Sequence, residues 1–170
     1  MKTLIICICT YKRNESLEKC LKSIKRLNNI NNIKIKILII DNTTNYESFK
    51  LVSKIKKKFL YKIKQINEPK KGIVHARNKA LIKLKSLKPK YVSFIDDDCT
   101  VDKFWLLNIL NVIKKKNADI VTGPQIYVED KKNINYTKFF EKKYNMSIKK
   151  VKWAASNNVF FLYNVIKKKK

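Results

Sequence analysis

The run Tyr91-Val92-Ser93-Phe94-Ile95-Asp96-Asp97-Asp98-Cys99-Thr100 sets the tightest limit on the fold. It begins as an apolar, strand-like segment and ends in three adjacent carboxylates. A strand that is apolar on both faces belongs inside a sheet. Three aspartates cannot follow it into the core, because unpaired buried charge is too costly. The strand therefore ends at Asp96, with the carboxylates at its C-terminal mouth, where open α/β sheets hold their ligands. Asp96 and Asp98 stand two apart and point the same way if the chain stays extended. Two hard oxygen donors on one side suit Mg²⁺ or Mn²⁺, ions that also hold phosphate oxygens. The plainer reading is a helix start, since Asp caps helices well. Asp102, however, already stands before the Phe104–Ile113 helix pattern and can cap it alone.

The rest of the chain alternates in the same style. Leu4 to Cys9 is a continuous apolar run and reads as a buried strand. After the polar Thr10–Asn14 turn, Leu17, Cys20, Leu21, Ile24 and Leu27 recur at helical spacing, with Asn14 or Ser16 as the expected cap. Ile33–Ile40 is a second strand, ending at Asp41-Asn42. Phe49, Val52, Ile55 and Phe59 mark a helix, Tyr61–Ile66 a short strand, and Ile73–Leu87 a helix entered through Gly72. Asp119–Thr122 is a strand stopped by Gly123-Pro124. Strict alternation predicts an α/β fold: a mostly parallel sheet with helices on both faces. Beyond Gly123 the pattern loosens: Gln125–Val128 reads as a strand, Tyr136–Tyr144 as a helix with an aromatic face, and Trp153–Tyr163 as mixed.

A length of 170 residues suits one domain with a proper core. Met1-Lys2-Thr3 leads into a short strand without a small-residue cleavage site, so no signal peptide is expected and the cytoplasm is the default location. The net charge is +27, from 40 basic and 13 acidic residues. Such a balance invites nucleic acid, an anionic membrane or an anionic substrate. Only Arg13, Arg26 and Arg77 are arginines, though, and arginine is the residue that reads bases and phosphates bidentately. Lys, Ile, Asn, Phe and Tyr share A/T-rich codons, so most of the charge reads as codon composition. Attraction to an anionic membrane surface is a by-product, and no nucleic-acid partner is expected. Cys7, Cys9, Cys20 and Cys99 with the single His75 make no zinc set. They read as small cytosolic hydrophobes, with Cys99 beside the aspartates the one to watch.

Three polar sets stand at strand ends: Thr10-Tyr11, Asp41-Asn42 and Asp96–Asp98. A parallel sheet brings all three to one edge. Gly72 to Asn78 adds a glycine turn feeding a helix, with Arg77 one turn in; helix starts favour anions and arginine strengthens that. Each set has a bland reading, as a turn, an Asx turn or a surface helix residue. Together they make an edge suited to a nucleotide and a metal.

In this order the motifs resemble those of the family 2 glycosyltransferases: Ile5 to Arg13, Ile39-Ile40-Asp41-Asn42, Gly72 with Ala76-Arg77-Asn78, and Phe94 to Asp98 with Trp105-Leu106 behind. The resemblance runs from about Thr3 to Gly123 and is fainter at Ser156-Asn157-Asn158. It implies a GT-A, Rossmann-like fold and sugar transfer from a nucleotide-diphosphate sugar to a saccharide or lipid-linked acceptor hydroxyl, with Mg²⁺ or Mn²⁺. By that resemblance Thr10, Tyr11 and Asp41 contact the nucleoside and Arg77 helps hold the nucleotide. Asp96 and Asp98 are the outer members of an Asp-x-Asp motif, with Asp98 the metal ligand and Asp96 nearer the ribose and able to share the ion. Asp97 lies between them on the substrate side. Residues 1–123 then form the nucleotide-sugar core, and 124–170 the start of an acceptor-side region.

An inverting transferase also needs a carboxylate base. Glu129-Asp130 has the right letters but stands too near Gly123 and lacks flanking glycines, so the base is left unassigned. With Lys167–Lys170 closing the chain, a shortened enzyme that holds donor but transfers poorly is expected. Two other classes remain open. Asp96-x-Asp98-x-Thr100 fits a phosphatase pattern, although no Gly-Asp pair follows it. A basic module for nucleic acid or membrane would need no acids lined up at strand ends, and its binding would fall with salt.

Overall fold

The computed structural model describes residues 1–28, 30–125 and 148–167. In chain order the elements are β1 (Lys2–Thr10), α1 (Asn14–Lys25), β2 (Ile33–Asp41), α2 (Phe49–Lys56), β3 (Lys62–Asn67), α3 (Ile73–Leu87), β4 (Tyr91–Asp96), α4 (Trp105–Lys116), β5 (Ile120–Thr122), β6 (Asn158–Leu162) and α5 (Asn164–Lys167). The strands form one six-stranded sheet in the order β3-β2-β1-β4-β6-β5. The pairs β1–β2, β1–β4 and β2–β3 are parallel, whereas β6 runs antiparallel to both β4 and β5.

Alternation along β1 builds both faces of the core. Leu4, Ile6 and Ile8 pack with Leu17, Leu21 and Ile24 of α1, Val52 of α2, and Leu106 and Ile109 of α4. Ile5, Cys7 and Cys9 face the other way, onto Ala76, Ala80 and Leu84 of α3. The small side chains of α3 let that helix lie close to the sheet. Helices thus cover both faces, as the alternation predicts, and Cys7 and Cys9 lie on the same face of β1. All four thiols are free.

Four local expectations need correcting. Neither Asn14 nor Ser16 caps α1; the helix starts at Asn14 with Arg13 as the N-cap and no side-chain cap bond. Phe49 opens α2 but turns outward against Tyr46, leaving Val52 as that helix's buried residue. The sheet also takes a sixth strand from beyond Gly123, and that strand wedges between β4 and β5. Asn158 anchors it. The side chain accepts a bond from Trp105 Nε1 (3.0 Å) and donates one to the Pro124 carbonyl (3.2 Å). A Cβ at Gly123 would come within 2.8 Å of that amide, so glycine is what allows the approach. Nor does Asp102 cap α4: Phe104 is the N-cap, without a side-chain cap bond, and the Asp102 carboxylate instead accepts the Phe104 N–H at 2.7 Å in the turn ahead of the helix. The expected strand at Gln125–Val128 and helix at Tyr136–Tyr144 fall almost wholly outside the described residues. No described helix is long and apolar enough to cross a membrane.

Candidate functional site

The parallel register builds one polar edge. Thr10 pairs with Asp41, Asp41 with Asn67, and Cys9 with Asp96, so the C-terminal ends of four strands come level. The three polar sets read from the sequence therefore share an edge.

Asp41 is the hub of its own loop. It is 1% exposed, and each oxygen accepts two hydrogen bonds. Oδ1 takes the Thr43 N–H (2.9 Å) and hydroxyl (2.6 Å); Oδ2 takes the Ser48 N–H (2.7 Å) and hydroxyl (2.5 Å). A carboxylate offers about four lone-pair sites. In this arrangement all of them are taken up by the 43–48 loop. Asn42 does the same for the next loop. Its amide donates to the Glu68 and Lys70 carbonyls (2.7 and 2.8 Å) and its oxygen accepts the Gly72 N–H (2.8 Å). Asn67 completes the lacing by donating to the Asp41 and Thr43 carbonyls. Gly72 itself sits at φ +130°, a conformation that side chains with a Cβ rarely adopt, and leads straight into α3.

Asp96 ends β4, and Asp97 and Asp98 do not continue the strand. The Cys99 N–H bonds back to the Asp96 carbonyl at 3.1 Å, closing a turn over 96–99. Period-two alternation stops there, so the argument that Asp96 and Asp98 point alike in an extended chain does not apply. Each takes its own guanidinium instead. Arg77 Nη2 lies 3.1 Å from Asp96 Oδ1, and Arg13 Nη1 donates to Asp98 Oδ2 at 2.6 Å. The other nitrogen of Arg13 lies 3.1 Å from Asp97 Oδ1, an ion pair too bent to be a hydrogen bond. Asp97 is fully buried while Asp98 is half exposed. Burial pushes the Asp97 carboxyl above its ordinary value; the neighbouring Thr10 hydroxyl and the Arg13 guanidinium pull it back, and Asp98 and Asp96 push it up again.

Beside this cluster lies a cavity of about 190 Å³ lined by Thr10, Tyr11, Arg13, Asn42, Lys71 and Gly72, among others. The Tyr11 ring is flanked by Lys12 and Lys71, whose ammonium groups lie 5.8 and 5.5 Å from its centre. The Thr10 hydroxyl is buried without a hydrogen-bond partner, which leaves a polar atom unsatisfied at the end of β1. An anion entering here meets the start of α3, the Arg13 guanidinium and Lys71. The Tyr11 ring beside it suits a nucleoside base.

The sequence model of Glycosyl transferase family 2 matches residues 5–167. The chain belongs to glycosyl transferase family 2. Among curated relatives, the succinoglycan biosynthesis protein ExoM of Rhizobium meliloti (strain 1021) is 29% identical over 117 residues, covering 69% of this chain. The chain spans only 37% of that relative's length. Among solved structures, the mannosyltransferase PcManGT of Pyrobaculum calidifontis, in complex with GDP-Man and Mn²⁺, matches with a TM-score of 0.66 at 15% identity. That match covers 97% of this chain and 46% of the mannosyltransferase. S. aureus TarS 1–349 in complex with UDP-GlcNAc matches with a TM-score of 0.55 at 22% identity, over 75% of this chain and 37% of TarS 1–349. At these identities the likeness to the solved structures establishes the shared fold, the GT-A, Rossmann-like fold implied by the resemblance. Family membership sets aside the phosphatase and basic-module readings.

Arg13 is the residue that sequence reasoning passed over. It was visible as one of only three arginines in a chain otherwise rich in lysine, next to Thr10-Tyr11. The expected acidic pair Glu129-Asp130 lies outside the described residues. Among the described residues, no three carboxylate, thiol or imidazole groups gather as a ready-made metal cage. Mg²⁺ rarely uses one: it takes one or two carboxylates plus substrate phosphates. The half-exposed Asp98, with Asp96 beside the cavity, fits that mode of holding.

Proposed function

We propose that this chain binds a nucleotide-diphosphate sugar together with Mg²⁺ or Mn²⁺ and transfers the sugar, with inversion, to an acceptor hydroxyl. The observation that carries the reading is the cavity at the end of β1, bounded by Thr10, Tyr11 and the start of α3, opening beside the Asp96–Asp98 carboxylates. Tyr11 offers a face for the base, and the unpartnered Thr10 hydroxyl a hydrogen bond to the nucleoside. Asp41 acts from behind, by fixing the loop that closes this side. Arg77 and the N-terminal end of α3 favour the phosphates. Asp98 holds the ion, with Asp96 nearer the ribose and Asp97 buried beneath both as the anchor of their turn. When bound, the ion neutralises charge that develops on the departing diphosphate.

Inversion calls for a carboxylate base, and none of the described residues is assigned that role. The ligands named for PcManGT and TarS support a nucleotide-sugar donor, and the name of ExoM, a succinoglycan biosynthesis protein, supports a place in cell-envelope polysaccharide synthesis, where a saccharide or lipid-linked acceptor is what the reading expects. A net charge of +27 favours peripheral contact with an anionic membrane on the cytoplasmic side. Residues 1–123 carry the donor half in this reading, and the remainder faces the acceptor.

Titration calorimetry at low salt with UDP or GDP tests the donor half. Binding should need Mg²⁺ or Mn²⁺ in the parent, and Asp98→Ala should lose that dependence. No heat of binding from either nucleotide with either ion would refute the proposal.

A further inference from the structure

We infer that Arg13 is a built-in counter-cation for the metal-facing carboxylates, which holds Asp97 and Asp98 until a divalent ion arrives and then turns into the adjoining cavity to meet the donor's diphosphate. The inference rests on the proposed function above and assigns a role to a residue which that reading leaves unused.

The geometry is that of a bridge. Two nitrogens of one guanidinium contact two different carboxylates, Asp98 at 2.6 Å and Asp97 at 3.1 Å. Only a planar fork does this; an ammonium is a point charge. Asp97 is wholly buried, and a buried carboxylate without a cation is costly. Among the described residues Arg13 is the only cation within ion-pair distance of either group. The backbone sets it there. Lys12 lies at φ 56°, a left-handed turn, and Arg13 follows as the N-cap of α1, so the side chain leaves at the rim of the cavity that it also lines. It is about half exposed and has solvent on one side through which to move.

Charge balance supplies the switch. Asp96, Asp97 and Asp98 against Arg77 and Arg13 leave one formal negative charge. With Arg13 turned away the cluster carries two, the match for one divalent ion. An ion on Asp98 would stand within a few ångströms of the guanidinium, where like charges repel strongly. The diphosphate arriving with the ion offers Arg13 a bidentate anionic partner on the cavity side. One residue therefore answers to both ligands in opposite senses: it competes with the metal and supports the nucleotide.

The test uses the full chain with Arg13→Gln and Arg13→Lys. Circular dichroism checks the fold, free Mn²⁺ is counted by electron paramagnetic resonance, and UDP or GDP binding is measured by calorimetry at saturating Mn²⁺. Without nucleotide, Arg13→Gln should bind Mn²⁺ roughly threefold more tightly than the parent, the size expected when a part-exposed ion pair no longer competes. Nucleotide affinity should fall roughly tenfold with the loss of a charge-assisted contact. Arg13→Lys should shift both in the same directions by less. Mn²⁺ binding in the folded variants that is no tighter than in the parent, or unchanged nucleotide affinity, would overturn the inference.

A measurement on the parent stands apart from the variants. With three arginines, the side-chain Nε–H region of a ¹⁵N correlation spectrum holds three guanidinium signals. Mg²⁺ alone should move the Arg13 signal, and nucleotide should move it again; a signal indifferent to Mg²⁺ overturns the inference. Absence of nucleotide binding in the parent would count against the proposed function, while the metal-only measurements would still decide whether Arg13 competes for Asp98.

Discussion

Asp41→Asn separates a carboxylate that touches substrate from one that builds the wall behind it. The side chains are nearly the same size, so the change is one of hydrogen-bond polarity. In the parent four donors converge on the two oxygens of Asp41, two of them backbone N–H groups that cannot turn away. The Thr43 and Ser48 hydroxyls can rotate and accept instead; the Thr43 and Ser48 amides cannot. Whichever way the asparagine amide lies, its NH₂ faces one of those backbone donors in a site that is 1% exposed. One buried N–H is orphaned, and the remaining bonds lose their charge assistance. The expected loss is about 2–4 kcal/mol. Against a total stability of about 5–15 kcal/mol this is a large share. Equilibrium urea unfolding should show the midpoint falling by roughly 1–2 M for a domain of this size. Hydrogen exchange should quicken at the Thr43 and Ser48 amides. A loss below about 0.5 kcal/mol, the range of ordinary surface changes, would refute the reasoning. If nucleotide affinity collapsed while stability held, Asp41 would be a direct contact after all.

Two further outcomes follow from the same geometry. Gly72→Ala should cost about 1–3 kcal/mol, because φ +130° is strained for a side chain with a Cβ even though the nearest atom that Cβ would meet, His75 Cδ2, lies at an acceptable 3.4 Å; urea unfolding measures the loss, and a neutral result would show that the turn relaxes freely. Burial pushes the Cys9 thiol up to about 12 and raises Cys7 and Cys20 well above their ordinary values. Folded-state values above the unfolded ones mean that their contribution to stability is complete below about pH 9 and is lost as pH rises beyond it. The urea midpoint should therefore fall between pH 8.5 and about 11 by less in Cys20→Ala than in the parent, and equal falls would refute the linkage.

The edge was legible in the sequence because strand ends carry their own punctuation. Apolar runs stop abruptly at Thr10, Asp41 and Asp96, and a parallel sheet then has to align them. What the sequence concealed was where side chains spend their hydrogen bonds. Asp41 reads as a ligand-facing acid, and the apolar run before it does not tell that Thr43 and Ser48 occupy its lone pairs. An Asx-turn pattern was present at Asp41-x-Thr43, but Ser48 joins only through the fold of the loop. The direction of Asp96 against Asp98 failed for a related reason. Alternation is a property of extended chain, and the 96–99 turn ends it one residue too soon. The β6 strand could not be placed at all, since its partners β4 and β5 are separated from it by long stretches of chain and its antiparallel sense breaks the alternation.

Charge told least where it was most abundant. A chain with 40 basic residues puts a lysine near almost any surface feature, so proximity of a cation says little about purpose. Shape says more. Lys12 and Lys71 attend the Tyr11 ring as diffuse point charges, an arrangement that either could leave at small cost. Arg26 closes α1 at a surface position where lysine would serve as well. The other two arginines both meet the aspartate turn, one on Asp96 and one bridging Asp97 to Asp98. The bridge needs a fork that lysine lacks, and the bond to Asp96 uses one arm of another. In so basic a sequence the functional signal therefore lies in guanidinium geometry rather than in net charge. The same criterion separates the cluster at Asp96–Asp98 from the general basicity of the surface, and it directs substitution first to Arg13 and only then to the lysines.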